Sequence, residues 1–479
     1  MQGATVPKSA ARRRDHDSEL AARGTQRGGG RRLILPLCIC AASLRFHPGA
    51  ALALSLGADP AIDPGRFKIT EFVSGLSFPY SMQSMADGSV LVATSPPVAP
   101  GGSLFSSTVE ILRFVDADNN GVADGPGQSV FSAPAPGPAT AIRFAGDHLL
   151  VATGPSILVL GRDAGAGLSF SQVGAVNFSF PAPWSHRFLT LGVRPSPGNP
   201  AARDVFFNVG ARYNSLATVD TISATGLLNA SGLAADSVYK FTLTPGGAGV
   251  AAVDLIQIAS GLRNAFGLAF EPSTGDLWLT DNGFDGLLDP SEPVSADELN
   301  RIAAADIGTA LPDFGFPDSY IEYRTGNQVG DPAAAPLLAI QPIPAPDGKE
   351  SEGAADLAFS PMGFPAGLND GLFIAFHGRT GTTGVDNEEN GVLFFDPDTG
   401  EYFEFLRGQQ SGLGYPDSLL ATDDALFVAD LASAGGLSGA PSGRIWKITA
   451  IPEPAGTVPL TGLVLLGLLA WRRHRPDAH

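Results

Sequence analysis

The chain of 479 residues has two cysteines, Cys38 and Cys40, and both fall within its first 53 residues. From residue 54 onward there is no thiol. This excludes disulfides and thiolate-held metals and leaves core packing to stabilise the fold. Cations are also scarce: 30 Lys and Arg stand against 48 Asp and Glu, and between residues 54 and 451 the balance is 18 to 43. So acidic a body repels phosphate backbones and argues against a nucleic-acid partner. No Gly-x-Ser-x-Gly elbow, P-loop or His-Glu-x-x-His helix is present, so serine-hydrolase, nucleotide and zinc-protease chemistry has no carrier. Glycine and proline are abundant instead, at 59 and 39 copies, which points to many turns and short strands.

The two ends have the character of addresses. Arg31-Arg32 precedes "LILPLCICAASL", an apolar core of signal-peptide length, and Ala51 to Ala53 supply a small-x-small cleavage site, so residues 1–53 are expected to direct export. At the other end Pro452-Glu453-Pro454 leads into the apolar stretch Thr457 to Trp471, which stops at Arg472-Arg473-His474-Arg475. That stretch is shorter than the roughly 20 residues a spanning helix needs. The tail, 452–479, resembles the PEP-CTERM sorting signal of Gram-negative bacteria. The resemblance implies cutting by an exosortase, transient anchoring in the inner membrane through this segment alone, and a fate at the cell surface or in the extracellular matrix.

Between them, residues 54–451 repeat one design. "VLVATS" from Val90, "LLVATG" from Leu149, "VFFNVG" from Val205, "LWLTDNG" from Leu277, "LFIAFHG" from Leu372 and "LFVAD" from Leu426 each follow another apolar run and a Gly, Asp or Pro turn. Six hairpins at intervals of 54 to 95 residues predict an all-β fold, a six-bladed β-propeller with four-stranded antiparallel blades and apolar segments at both termini. The first strand "RFKITEFV" and the last "GRIWKITAI" are expected to share a blade and close the ring. A pair of β-sandwiches is the rival, but it would not call for six copies of one hairpin.

Radial packing brings one end of every inner strand to a shared channel mouth. His186, in "WSHRFLTLGV", and Arg263, in "SGLRNAFGLAF", stand at equivalent places one blade apart and are expected to face each other there, both reaching solvent. His377 ends its own repeat, and His148 lies in a "GDH" hairpin turn that suits a solvated role. A separate acidic run, "DADNNGVAD", places Asp116, Asp118, Asn120 and Asp124 at positions 1, 3, 5 and 9 of a calcium loop, with Gly121 at the sixth. The alternative is an Asx-rich turn.

"HRFLTLGVRPSPGNPAARDVFFNVGARYN", "SGLRNAFGLAFEPSTGDLWLTDNG", "ADELNRIAAADIGTALPDFGFP" and "DGLFIAFHGR" resemble, in that order, the soluble glucose and sorbosone dehydrogenase family. Its members are six-bladed quinoproteins that use pyrroloquinoline quinone (PQQ) and calcium to oxidise sugars. The resemblance implies His186 as general base, Arg263 beside the quinone carbonyl and Asn264 as a cofactor hydrogen-bond partner. It also implies the carbonyls of Gly283 and Phe284 as calcium ligands, and Asp297 and Glu298 at a second calcium site. The family's late-chain arginines have no counterpart in "GLGYPDS", which leaves Lys349, Arg379 and Arg444 as cations for the cofactor, and its acidic partner of the histidine is replaced by an Ala211-Arg212 corner. The functions expected are therefore a sugar dehydrogenase or, in its place, a non-catalytic, calcium-stabilised propeller that binds a sugar or surface polysaccharide. Lactone hydrolysis, known for related propellers, is the third.

Overall fold

Each of the six hairpins becomes the inner half of a blade because both faces of its strands are covered. In Asn199–Val209, Phe206 packs with Leu268 and Leu277 of the following blade, and Phe207, one residue on, packs with Val159 and Val176 of the preceding one. Successive side chains of a strand point to opposite faces, and sheets stacked on both sides make both faces core. The runs are therefore continuously apolar. Six apolar clusters result, one between each pair of adjacent blades.

The structure is a computed structural model. It describes residues 54–452 apart from 135–136, 166, 247–248, 286–290, 346–352, 382, 388, 411 and 435. The expected export segment 1–53, the sorting tail from residue 453 and Lys349 lie outside these residues. Among the described residues no helix is long and apolar enough to cross a membrane.

The inner strands of blades 1 to 6 are Ser81–Ser84, Ala141–Ala145, Gly192–Ser196, Ala265–Phe270, Ala354–Phe359 and Pro416–Ala421. Each contacts the next, and the sixth contacts the first, so the ring closes. The expected closure holds: Phe67–Leu76, the first long strand, pairs antiparallel with the last, Gly443–Ala450, as the outer strand of blade 6. The six-bladed, four-stranded plan also holds, with one extension. A hairpin from Thr221–Gly226 and Ala230–Ala234, inserted into blade 3, adds to the outer edge of blade 2 and makes that sheet six-stranded.

The acidic loop from Asp116 lies between the third and outer strands of blade 1, and it receives cations from the closing blade. Lys447 Nζ donates to Asp116 Oδ2 at 2.9 Å, and Lys68 Nζ donates to the carbonyl of Asn120 at 2.8 Å. Asp118 Oδ1 accepts from Asn120 N, and Asp124 Oδ2 accepts from Ala117 N at 2.6 Å. The expected calcium ligands Asp116, Asp118, Asn120 and Asp124 are thus bonded to their own loop and to two lysines. Among the described residues no three His, Asp or Glu side chains converge as a ligand set. Asp116 Oδ1 is nevertheless buried without a partner. Lys447→Met is expected to cost about 1–3 kcal/mol, the range for losing a charged hydrogen bond and stranding a buried carboxylate. Denaturant melts would measure this. Millimolar calcium should restore stability in the variant more than in the parent if the loop can exchange ammonium for a metal; equal responses would count against that.

Candidate active site

In an antiparallel blade the start of the inner strand and the end of the second strand lie at the same end. Those segments line one cavity of ≈ 590 Å³ at the channel mouth. It collects His186, Arg263, Asn264, Gly283, Phe284, Asp297 and Arg379 of the residues expected from sequence. Asp116, Asp118, Asn120 and Asp124 lie elsewhere. Glu298 lies behind the cavity, against a void of ≈ 20 Å³ shared with Asp281, Gly283 and Phe284, room for about one water or ion.

The polar groups at the two ends of the blade 4 hairpin belong to one latch. Asp281, the last residue of the second strand Leu277–Asp281, accepts from the backbone N–H of Arg263 at 2.8 Å and of Asn264 at 2.6 Å. Asp430 repeats the device in blade 6, accepting from Gly414 N and Tyr415 N at 3.0 and 2.8 Å. In blade 3 Asn208 Oδ1 accepts from Thr190 N. Chain leaving the previous blade cannot complete a ladder there, so a side-chain carboxylate or amide satisfies its donors.

Arg263 corrects the expectation of a solvent-reaching guanidinium, since the residue is only 4 % exposed. Its Nε donates to Asn214 O, Nη1 to Asn282 O at 3.3 Å, and Nη2 to Asn214 Oδ1 and to Asp285 Oδ2 at 3.0 Å. Four of its five N–H groups are thereby used, leaving one.

His186 is joined to this corner through Ala211. Ala211 N donates to Arg263 O at 2.7 Å, and the carbonyl of Ala211 lies 2.9 Å from His186 Nδ1. A carbonyl only accepts, so Nδ1 carries the proton and Nε2 presents its lone pair. The main chain of Ala211 thus does what an acidic side chain would do in fixing the tautomer. Gly210 permits the approach, since a Cβ there would sit 2.7 Å from His186 Cβ. Burial, and then the charge of Arg263, lowers the imidazole from 6.5 to about 3, so His186 is neutral at physiological pH.

Asp297 Oδ1 accepts from Gly283 N at 2.8 Å and Oδ2 from Ala354 N at 2.9 Å, which ties blade 4 to blade 5. Glu298 Oε2 accepts from Asn300 Nδ2 at 3.0 Å. Burial dominates the electrostatics here: it raises Asp297, pushes Asp281 up to about 7 and, with help from the charge of Asp281, pushes Glu298 up to about 8. In the unfolded chain both Asp281 and Glu298 ionise near pH 4. The folded state therefore retains protons that the unfolded state has released. The stability this contributes is complete below about pH 4 and is lost as the pH rises through the folded values of about 7 and 8. His186, neutral in the folded state but still partly protonated in the unfolded chain near pH 6.5, acts with the opposite sign and adds nothing further above about pH 7.5. The melting temperature is expected to fall between pH 6.5 and 8.5, with at most about 1.4 kcal/mol per pH unit for each retained proton. Glu298→Gln should flatten the slope, and a pH-independent melting temperature in the parent would remove the buried acids from the account.

On the neighbouring blade 5, Arg379 Nη2 donates to Glu389 Oε1 at 2.7 Å, and its side chain is 49 % exposed. Asn214, Asp285, Glu389, Tyr80 and Asp417 shape the site without having been singled out from sequence. Asp417 sits in "GLGYPDS", notable in the sequence only for its missing arginine.

No family model matches the chain, and no curated protein matches it. Solved structures do. A calcium structure of a Trichoderma reesei carbohydrate-active enzyme of family AA12 is 16% identical, with a TM-score of 0.53, over 84% of this chain and 98% of that one. The PQQ domain of Coprinopsis cinerea pyranose dehydrogenase, in its holo form, is also 16% identical, with a TM-score of 0.52, over 84% of this chain and 99% of that one. At such identity the likeness establishes the propeller fold.

Proposed function

We propose that the protein is an exported, surface-directed sugar oxidoreductase of the quinoprotein type, in which a sugar ring binds at the channel mouth with one hydroxyl on Nε2 of His186. The observation that carries this is the pairing at one cavity of a neutral, tautomer-fixed histidine with a buried arginine that retains one free N–H. Such a pair can take a hydroxyl proton and offset negative charge developing beside it. The fold neighbours named above, one a calcium structure and one a holo PQQ domain, support the cofactor assignment.

The donor set suits a calcium-bound quinone better than a free one. Four carboxylates, Asp285, Asp297, Glu389 and Asp417, line the cavity against two guanidiniums, Arg263 and Arg379, and both guanidiniums are already paired with an acid. A tricarboxylate alone meets net repulsion. A divalent cation would reverse that, and Asp281 and Glu298, which burial pushes up to about 7 and about 8, line the small void beside Gly283 and Phe284 where one would be held. Arg263 and Asn264 would hold the carbonyl edge, and Arg379 an acidic edge. The quinone, when bound, would supply the two-electron acceptor for a sugar hydride. His186 holds the hydroxyl proton, and the surrounding Phe188 and Phe266 exclude water.

The test is gel filtration of the purified protein with PQQ, with and without calcium. Cofactor absorbance should travel with the protein only when calcium is present. If it elutes with small molecules in both cases, the acid excess of the cavity favours the second reading, a propeller that binds a neutral sugar or surface polysaccharide without oxidising it.

A further inference from the structure

The same cavity holds a second imidazole that the role of His186 leaves unexplained. His377 follows the second strand of blade 5, Leu372–Phe376, and its Nδ1 lies 2.7 and 2.9 Å from the two carboxylate oxygens of Asp417 on the inner strand of blade 6. The Asp417 side chain is 1% exposed, and it lines the cavity together with Tyr80, whose hydroxyl its charge helps to raise after burial. The His377 ring stacks on Tyr415, which is fully buried, at 4.6 Å between centroids and 27° between planes. Held on one face by Tyr415 and at Nδ1 by a carboxylate, the neutral ring must carry its proton on Nδ1. Its Nε2 is then a lone pair, and among the described residues no protein group donates to it, although the ring lines the cavity.

Both histidines of the cavity are therefore acceptors at Nε2, one fixed by a backbone carbonyl and the other by a carboxylate. In the ring of six, blade 6 stands across from blade 3, so Asp417 and His186 belong to opposing walls. We propose that the occupant is recognised through two hydroxyl donors, one to Nε2 of His186 and one to Nε2 of His377, with Asp417 as the positioning residue that keeps His377 an acceptor. This rests on the sugar reading and narrows it to a polyhydroxylated ring that presents two donors, one to each imidazole. A ligand with one donor, or with a carboxylate directed at the Asp417 wall, loses an interaction or meets repulsion.

The test is nitrogen NMR of full-length protein labelled at histidine, at pH 8, without cofactor and then with an equimolar mixture of D-glucose, D-galactose and D-xylose. Before sugar is added, both His186 and His377 should show protonated Nδ1 and unprotonated Nε2. Asp417→Asn, whose amide can donate to Nδ1, should reverse the tautomer of His377 alone and weaken sugar binding about tenfold, the loss of one hydrogen bond. Sugar should move the Nε2 resonances of both rings. Movement of His186 alone, or an Nε2–H tautomer at His377 in the parent protein, overturns the inference and leaves the sugar reading standing. Movement of neither ring overturns both. The parent measurements decide the matter even if the variant does not fold.

Discussion

His186→Ala is expected to lower the sugar turnover proposed above by about 100- to 10,000-fold, the span for removal of a general base. The geometry supporting this is the lone pair on Nε2, fixed by the Ala211 carbonyl 2.9 Å from Nδ1. With its imidazole lowered to about 3, His186 stays unprotonated over the whole neutral range, so turnover should show no loss near pH 6.5 from this group. A base so far below the operating pH works toward the lower end of that span. His148→Ala is the control. It opens the second strand of blade 2, His148–Ala152, and so lies at the far end of the channel, where substitution should leave turnover intact. Steady-state rates for the two variants decide the matter. Equal rates for His186→Ala and the parent would remove the base assignment.

Asp281→Ala is expected to have the largest effect on stability, about 3–5 kcal/mol. It leaves the N–H groups of Arg263 and Asn264 without an acceptor, at about 1–3 kcal/mol each, and removes an acid that offsets the buried guanidinium. Asp281→Asn should cost less, because one acceptor oxygen remains and the charge was already disfavoured, as its upward shift to about 7 indicates. Asp430→Ala offers an independent copy of the experiment. Its carboxylate accepts from Gly414, Tyr415 and Ala432, far from the His186 corner. Urea denaturation of the three variants measures the cost. A change below about 1 kcal/mol in both alanine variants would show that water replaces the carboxylate and that the latch contributes little.

The propeller is legible in the order of residues alone. A strand covered on both faces must be apolar at every position, and six such runs, each following a turn, leave few other ways to hide the edges. The order of residues also shows that the first and last strands share a blade, and it points to His186 and Arg263, which line one cavity, although the blade 3 counterpart of the Arg263 latch is Thr190 and not His186. Those features are carried by residues close together in the chain or by repetition of one pattern.

How the site is charged follows from the closed fold and is not legible in the chain. Arg263 looked solvent-reaching because nothing near it in sequence shows that Asn214, 49 residues earlier, and Asp285, 22 later, close around its guanidinium. The pairing of His377 with Asp417 spans 40 residues and two blades. The raised values of Asp281 and Glu298 come mainly from desolvation, which depends on how tightly neighbouring blades pack. Residue identity specifies which groups can ionise or donate. Their protonation and partners depend on distances and dielectric surroundings that exist only once all six blades have closed.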